Sequence, residues 1–549
     1  MSLSTYFHTM RHLRPVQVYG RIWYRLYQPR PAERPAPPVR EPGDKWQTPA
    51  RREPSMRGPA RFWFLGEERE LAWPEGWNRP DIHKLWLYNL HYFDDLSARG
   101  ADERRAWHTD LIDRWIRENP PFAGQGWEPY PLSVRIVNWI KWLLAGGPAT
   151  ARLRESLAHQ VRYLSRRLEH HLLGNHLLTN AKALCFAGLY FSGPEADRWL
   201  DNGLRLVARE LPEQILPDGG HFELSPMYHS LVLEDLLDLQ NLFRVYSAVL
   251  PPRAMPVRAR VLAAAMQMRP WLQAMCLPDG QITLFSDAAH GIAPTPDELE
   301  DYAARVGWPP PAAFDEHLQV LPESGYVRVA AGPAVAVLDV GEIGPAYLPG
   351  HGHADVFTFE LALAGRRLVV DSGTSVYYGN DTARQQQRST AAHNTVVVDG
   401  ADSSEVWGNF RVARRAHPHD VEARDEGAAG LVVSAWHDGY LRLPGRVRHH
   451  RVWRLTDTAL VIDDRLDGTF REAQAWLHLH PEVEVEHDSP GGPIRLRQSG
   501  REVRFSATGG AAEVVASEYH PHFGVTLPSH ALRVRFSEAR LICRLEWSP

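Results

Sequence analysis

Hydrophobic positions fall into two regimes along the 549 residues. From about residue 80 to 305, apolar residues recur at i, i+3, i+4 and i+7, the period of helices with one buried face. This spacing predicts helices over 130–144 (YPLSVRIVNWIKWLL), 228–250 and 257–276. The stretch 176–191 (HLLTNAKALCFAGLYF) is apolar almost all round and reads as a fully buried helix. Turns at 216–220 (LPDGG) and Pro251-Pro252 separate the segments, and no strand-like alternation interrupts them. Successive hairpin-sized helices suggest a toroid or solenoid rather than a four-helix bundle.

The period changes across 308–324 (WPPPAAFDEHLQVLPES), which reads as a domain linker. Beyond it, apolar and polar residues alternate and β-branched residues dominate, over 326–340, 356–373, 393–400, 451–468 and 473–487. Gly365, Asp399-Gly400 and Asp467-Gly468 supply turns. With no helical segments between them, such strands imply a large antiparallel sandwich. Residues 1–28 read as a short amphipathic helix rich in Tyr, Trp and Arg, packed on the main domain or lying on a membrane surface, and 29–54 as a proline-rich connector. The expected fold is α+β and multidomain. It comprises an N-terminal helix and connector (1–60), an α-helical toroid (61–310) and an antiparallel β-sandwich (320–549).

Charge narrows the partners. Lys+Arg is 61 against 66 Asp+Glu, a net charge of −5, which is not the footprint of a nucleic-acid binder. Only Lys45, Lys84, Lys141 and Lys182 are lysines, so arginine carries nearly all positive charge. GC-rich coding accounts for that, as does recognition of carboxylate or sulfate by the guanidinium fork. Cys185, Cys276 and Cys543 lie far apart among apolar neighbours and form neither a disulfide framework nor a metal motif. No stretch is long and apolar enough for a transmembrane helix. The N-terminus carries no secretory pattern, so the expected compartment is the cytoplasm, or the periplasm if a leader has been removed.

Three polar clusters stand out. Asn175 and His176 open the apolar helix, where they can cap it or face a cleft. A turn at 218–229 (DGGHFELSPMYH) concentrates polar and aromatic residues, with Tyr228 of interest through its company. The third runs 349–355 (PGHGHAD). A His-x-His pair on extended chain sends both rings to one face. Asp371 follows His353 by eighteen residues and His393 by forty, and two histidines with one carboxylate form a common zinc arrangement. Satisfied, metal-free histidines are the other reading.

Taken together, GNHLLTN (174–180), DGGHFELSPMYH (218–229), GHGHADVFTFEL (350–361), VVDSGTSVYY (369–378) and STAAHNTVVVDG (389–400) resemble the heparinase II/III-like polysaccharide lyases and related alginate lyases, in family order. The resemblance covers roughly residues 80 to 480. It implies an incomplete (α/α) toroid followed by an antiparallel β-sandwich, acting on an anionic, uronate-containing polysaccharide by β-elimination. It implies Asn175, with His176, as neutraliser of the uronate carboxylate, Tyr228 as base, acid or both, and His351 as the second proton-transfer group. Tyr377 or Tyr378 joins them, Tyr378 being the expected member. It also implies a divalent metal, zinc first, on His353, Asp371 and His393, structural rather than catalytic. The segment 86–96 (WLYNLHYFDDL) and the arginine- and tyrosine-rich N-terminus resemble the branch associated with bacterial exopolysaccharide. Three alternatives stand beside this reading. They are a metal-dependent hydrolase or deacetylase, a non-catalytic or weakly active exopolysaccharide-binding or assembly protein, and a toroid hydrolase using carboxylates such as Glu128, Asp218 and Glu223.

Overall fold

The computed structural model describes residues 3–30, 34–311, 317–487 and 494–548. Part of the expected linker, 312–316, lies outside the described residues. The N-terminal segment forms two helices rather than one, α1 (Leu3–Met10) and α2 (Pro15–Leu26). Pro15 cannot continue a helix from before it but suits a first turn, so the chain breaks there and restarts. Residues 34–54 of the connector are extended and lead into a three-stranded antiparallel sheet over 56–70. That sheet falls where a connector and helices were expected. Its strands are three or four residues long, and the last (EERE) is charged throughout, so alternation had little to register.

The helical domain follows as α3 (Lys84–Tyr92), α4 (Arg105–Glu118), α5 (Pro129–Leu144), α6 (Ala151–Leu164), α7 (Gly174–Tyr190), α8 (Pro194–Gln214), α9 (Pro226–Val245), α10 (Met255–Ala274) and α11 (Pro296–Arg305). Together they form the incomplete (α/α) toroid. Helix α7 packs against α5, α8 and α9 at its centre. Every residue of α7 is buried except His176, which explains why its pattern is apolar all round. Two glycines let α7 and α8 approach. A Cβ on Gly188 would lie 2.5 Å from the backbone N of Leu200, and one on Gly203 would lie 2.7 Å from Cys185 Sγ. Cys185 is thus a small core residue, and burial pushes its thiol far above its ordinary pKa.

Among the described residues, the C-terminal domain is built from three larger antiparallel sheets and a two-stranded pair, Val406–Trp407 with Arg411–Val412. A five-stranded sheet runs in chain order from Leu318–Leu321 to Arg366–Val369. An eight-stranded sheet carries Arg448–Thr456, Ala459–Asp467 and Arg540–Trp547 at its centre, and a four-stranded sheet contains Ala473–His478 and Val396–Val398. Phe359, Trp453, Ile462 and Leu532 meet in their shared core. This is the expected sandwich with one departure. A short helix, α12 (Asp381–Gln387), interrupts it, too polar and brief for periodicity to announce.

Gly188→Val places a branched side chain against the α8 backbone, which cannot yield without parting the helices. The expected cost is about 1–3 kcal/mol of folding stability, read as a lower urea midpoint with an unchanged slope.

Candidate active site

A cleft of roughly 1090 Å³ opens where helical-domain side chains meet loops of the sandwich. Asn175, His176, Tyr228, His351, Tyr377 and Tyr378 all line it. Asn175 is placed by an unusual entry into α7. Leu173 and Gly174 both adopt positive φ, +64° and +54°, a conformation that strongly favours glycine at the second position. A Cβ on Gly174 would also collide with the Glu223 carboxylate and Leu348. The backbone N–H of Asn175 then donates to Glu223 Oε1 (3.1 Å) and its side-chain Nδ2 to Oε2 (2.7 Å). One amide hydrogen of Asn175 remains beyond that bond. Buried Glu223 is held below its ordinary carboxylate range. Burial opposes this, but His221, His351 and the Asn175 donors outweigh it.

His176 pairs through Nδ1 with Glu169 Oε1 (3.2 Å), and its ring lies on Tyr130, centroids 4.5 Å apart. Burial lowers its pKa, but the Glu169 carboxylate more than offsets this, and the net shift is upward.

Tyr228 sits in the first turn of α9, which Ser225 caps through its hydroxyl. The phenol ring stacks on His351 with centroids 3.8 Å apart, and its hydroxyl lies 3.2 Å from that of Tyr377. Burial first, then Tyr377 and Asp287, push the Tyr228 phenol well above its ordinary pKa, so it rests protonated. Tyr377 and Tyr378 both line the cleft, and the hydroxyl within reach of Tyr228 is that of Tyr377. The two are consecutive residues of a bend. Tyr377 turns inward at 6% exposure, while Tyr378 stands 40% exposed at the rim beside His83 and Phe410.

The residue that organises the site went unseen in the sequence. Asp287, fully buried in the segment between α10 and α11, receives four donors. His351 Nδ1 lies 3.0 Å from Oδ2 and His353 Nε2 2.9 Å from Oδ1. Both terminal nitrogens of Arg384, on α12, bond the same carboxylate, Nη2 at 2.7 Å. Burial would raise the pKa of Asp287, but Arg384 and the two histidines hold it well below the ordinary range. Its backbone N–H also donates to the His351 carbonyl, and Ser225 Oγ to its own carbonyl. A carboxylate on Nδ1 fixes the proton there and leaves His351 Nε2 with a lone pair facing the cleft. Glu223 Oε2, 3.6 Å from that nitrogen, lies beyond hydrogen-bond reach.

Next to this hub, one ring nitrogen each of His353 and His393 and an oxygen of Asp355 lie within 4.8 Å of one another, all buried. His353 Nδ1 and His393 Nε2 have no hydrogen-bond partner. Two orphaned imidazole nitrogens beside a carboxylate fit a divalent cation. Burial drops the His353 pKa to about 3, the neutral form a ligand needs. The expected third member was Asp371. The structure sets Asp371 on His393 Nδ1 instead (2.8 Å), where it orients the ring, and puts Asp355 in the cluster. The sequence signal was the HAD of 353–355, two residues on from the histidine along the same face.

Of the carboxylates weighed for a hydrolase, Glu128 is engaged by Tyr88 and Lys84, and Asp218 by Ser324 N and Oγ at 2.7 and 2.8 Å. Neither is among the cleft's lining residues, which include Glu223.

An incomplete toroid joined to an antiparallel sandwich, with Tyr228, His351 and Asn175 on a cleft between them, defines the class of fold. Residues 104–302 match the heparinase II/III N-terminus model and 315–548 the heparinase II/III-like C-terminal model; the chain belongs to this family. A heparin-sulfate lyase of Bacteroides stercoris is 27% identical over 376 residues, covering 59% of this chain and 55% of the relative. FtsZ-localized protein C of Caulobacter vibrioides is 27% identical over 378 residues, covering 66% and 61%. The crystal structure of heparinase III superposes with a TM-score of 0.68 at 18% identity, over 88% of this chain and 79% of that one. The chain spans about half the length of the heparin-sulfate lyases it matches.

The Glu169 pair gives a pH prediction. A raised folded-state pKa means that the pair contributes stability fully below the ordinary histidine range and loses it as pH rises through the folded value. An NMR titration should place the His176 imidazole above the ordinary range, and Glu169→Gln should bring it down.

Proposed function

We propose that the protein is a polysaccharide lyase that cleaves a uronate-containing glycan by β-elimination. The observation that carries this is the stack of Tyr228 on His351, with His351 oriented by Asp287 and Asn175 alongside. Elimination needs a base for the weakly acidic proton beside the uronate carboxylate, stabilisation of the enolate, and an acid for the departing oxygen. In the proposed mechanism His351 Nε2 takes the proton. Charge building on the carboxylate meets the remaining amide hydrogen of Asn175 and the imidazole of His176, whose protonated form Glu169 favours. The carbon–oxygen bond breaks as Tyr228 donates its proton to the glycosidic oxygen, leaving a carbon–carbon double bond in the uronate. Exchange with water then takes the proton from His351 and returns one to Tyr228, which resets the pair. Tyr377, hydrogen-bonded to Tyr228, holds the phenol toward the bond that breaks.

For the substrate we propose an anionic exopolysaccharide. Tyr88, Asn89 and Tyr92, from the segment that resembles the exopolysaccharide-associated branch, line the cleft, as do Arg57, Arg411 and Arg415. Aromatic faces and guanidinium forks suit sugar rings and their carboxylates. We also propose that His353, Asp355 and His393 hold a divalent cation, zinc first, which would neutralise the buried acids and pin the loop that presents His351. A cleft that binds without cutting is the second reading. The engagement of Asn175 by anionic Glu223 favours it, because the neutralising amide is then already half occupied.

Incubation with a panel of uronate polysaccharides should produce the ultraviolet absorbance of an unsaturated uronate. Tyr228→Phe and His351→Ala should each lower that rate about 10²–10⁴-fold while retaining glycan binding. Binding with no unsaturated product on any member would favour the second reading.

Zinc should raise the melting temperature of chelator-treated protein, since a ligand of the folded state stabilises it by mass action. His393→Ala and Asp355→Ala should abolish the rise, and Asp371→Asn should weaken it about 10–100-fold in zinc affinity. An equal rise in all variants would remove the cation from this cluster.

A further inference from the structure

Helices α1 and α2 are inside out. On α2, the residues turned to the body are Gln17, which is buried, then Gly20 and Tyr24 at helical spacing. Gln17 Nε2 donates to the Tyr347 carbonyl (3.0 Å), Gly20 abuts the His171 side chain, and Tyr24 packs on that imidazole at 4.3 Å. The opposite face carries Tyr19, Ile22, Trp23 and Leu26, continued on α1 by Phe7, all between 58% and 78% exposed. A helix of a water-facing surface has the reverse pattern.

The helices are anchored, so this apolar face is held in place. Arg14 pairs with Glu213 at 2.5 Å and lies over the Tyr347 ring, while Thr9 accepts from Trp407 Nε1 at 3.0 Å. Charge decides what covers the face. Five arginines (11, 14, 21, 25 and 30) and no Asp or Glu precede Glu33, in a chain whose net charge is −5. Arg25 and Arg30 are exposed beside the apolar stripe. At 8 and 12 residues the helices are too short to cross a bilayer. Short helices with a Trp/Tyr/Leu face edged by arginine, free of acids, have the chemistry of a segment that lies in the plane of an anionic interface.

We propose that α1 and α2 form a membrane-surface docking site, with Tyr19, Ile22, Trp23, Leu26 and Phe7 entering the headgroup boundary of an anionic bilayer. The inner sides of the same helices line the cleft through Thr9, Leu13, Gln17 and Arg21. Docking therefore sets the mouth of the cleft beside the membrane. The inference stands apart from the lyase reading, since it uses none of the catalytic residues.

The test is co-sedimentation of the full chain with vesicles of phosphatidylcholine alone or mixed with phosphatidylglycerol. The wild type should pellet with the mixed vesicles at least about tenfold better than with the neutral ones, and less so as salt rises. Ile22→Ser/Trp23→Ser/Leu26→Ser should weaken that binding at least about tenfold, because three large apolar contacts are lost. These side chains are exposed, so the melting temperature should not move. Arg25→Glu should weaken binding to the anionic vesicles selectively. Failure of the wild type to bind mixed vesicles, or wild-type binding by the triple variant, overturns the proposal. So does a wild-type dimer in size-exclusion chromatography that the triple variant dissolves, which would give the face to a second copy.

Discussion

The carboxylate of Asp287 is the fixed point on which the cleft depends. It lies in the helical domain's last long connection, yet its four donors come from the sandwich: His351, His353 and both arms of Arg384. A buried carboxylate is costly unless every lone pair is used, and removing one partner of such a pair costs about 3–5 kcal/mol. The cluster therefore locks the two domains in one register. It also couples two functions through one group. Oδ2 sets the tautomer of His351, and Oδ1 turns His353 so that its other nitrogen faces His393 and Asp355.

Around that point the site is rigid by construction. The Tyr228 ring is stacked on His351, and its helix is capped by Ser225, whose hydroxyl also grips the Asp287 backbone. Asn175 is fixed by Glu223 at the end of a left-handed entry. Deeper in the toroid, two of the four lysines are neutralised internally. Lys182 bonds Asp235 and Asp238 at 2.6 and 2.5 Å, and Lys141 bonds Asp238. Arg57, Arg411 and Arg415 also line the cleft, and their guanidinium forks suit bidentate recognition of carboxylates.

The architecture was legible because it follows from periodicity. The switch from a period of 3.6 to one of 2 falls where the domains divide, and the all-round apolar helix is the toroid's central one. Asn175, Tyr228 and His351 stood out because each sits in a short polar run that matches a family motif, and the structure puts all three on one cleft. What stayed hidden depends on contacts distant in sequence. Asp287 and Arg384 are 97 residues apart, and each alone looks like a solvated charge. Asp355 and Asp371 are equally plausible by spacing, and only the fold shows which one shares a pocket with both histidines. Tyr377 and Tyr378 differ by one register step, which a loop of irregular geometry does not reveal. The split of the N-terminal helix was visible in Pro15, but its inverted burial was not, since an amphipathic pattern does not say which face is inward.

The proposed chemistry depends on Asp287 holding His351 in the tautomer that leaves Nε2 free. It is tested most directly by the ¹⁵N shifts of histidine-labelled protein, with the His351 signals assigned by their loss in His351→Gln. The expected result is a ring that carries a proton on Nδ1, and a change of tautomer in Asp287→Asn. A wild-type ring protonated on Nε2 alone, or one whose state is indifferent to Asp287, would contradict it.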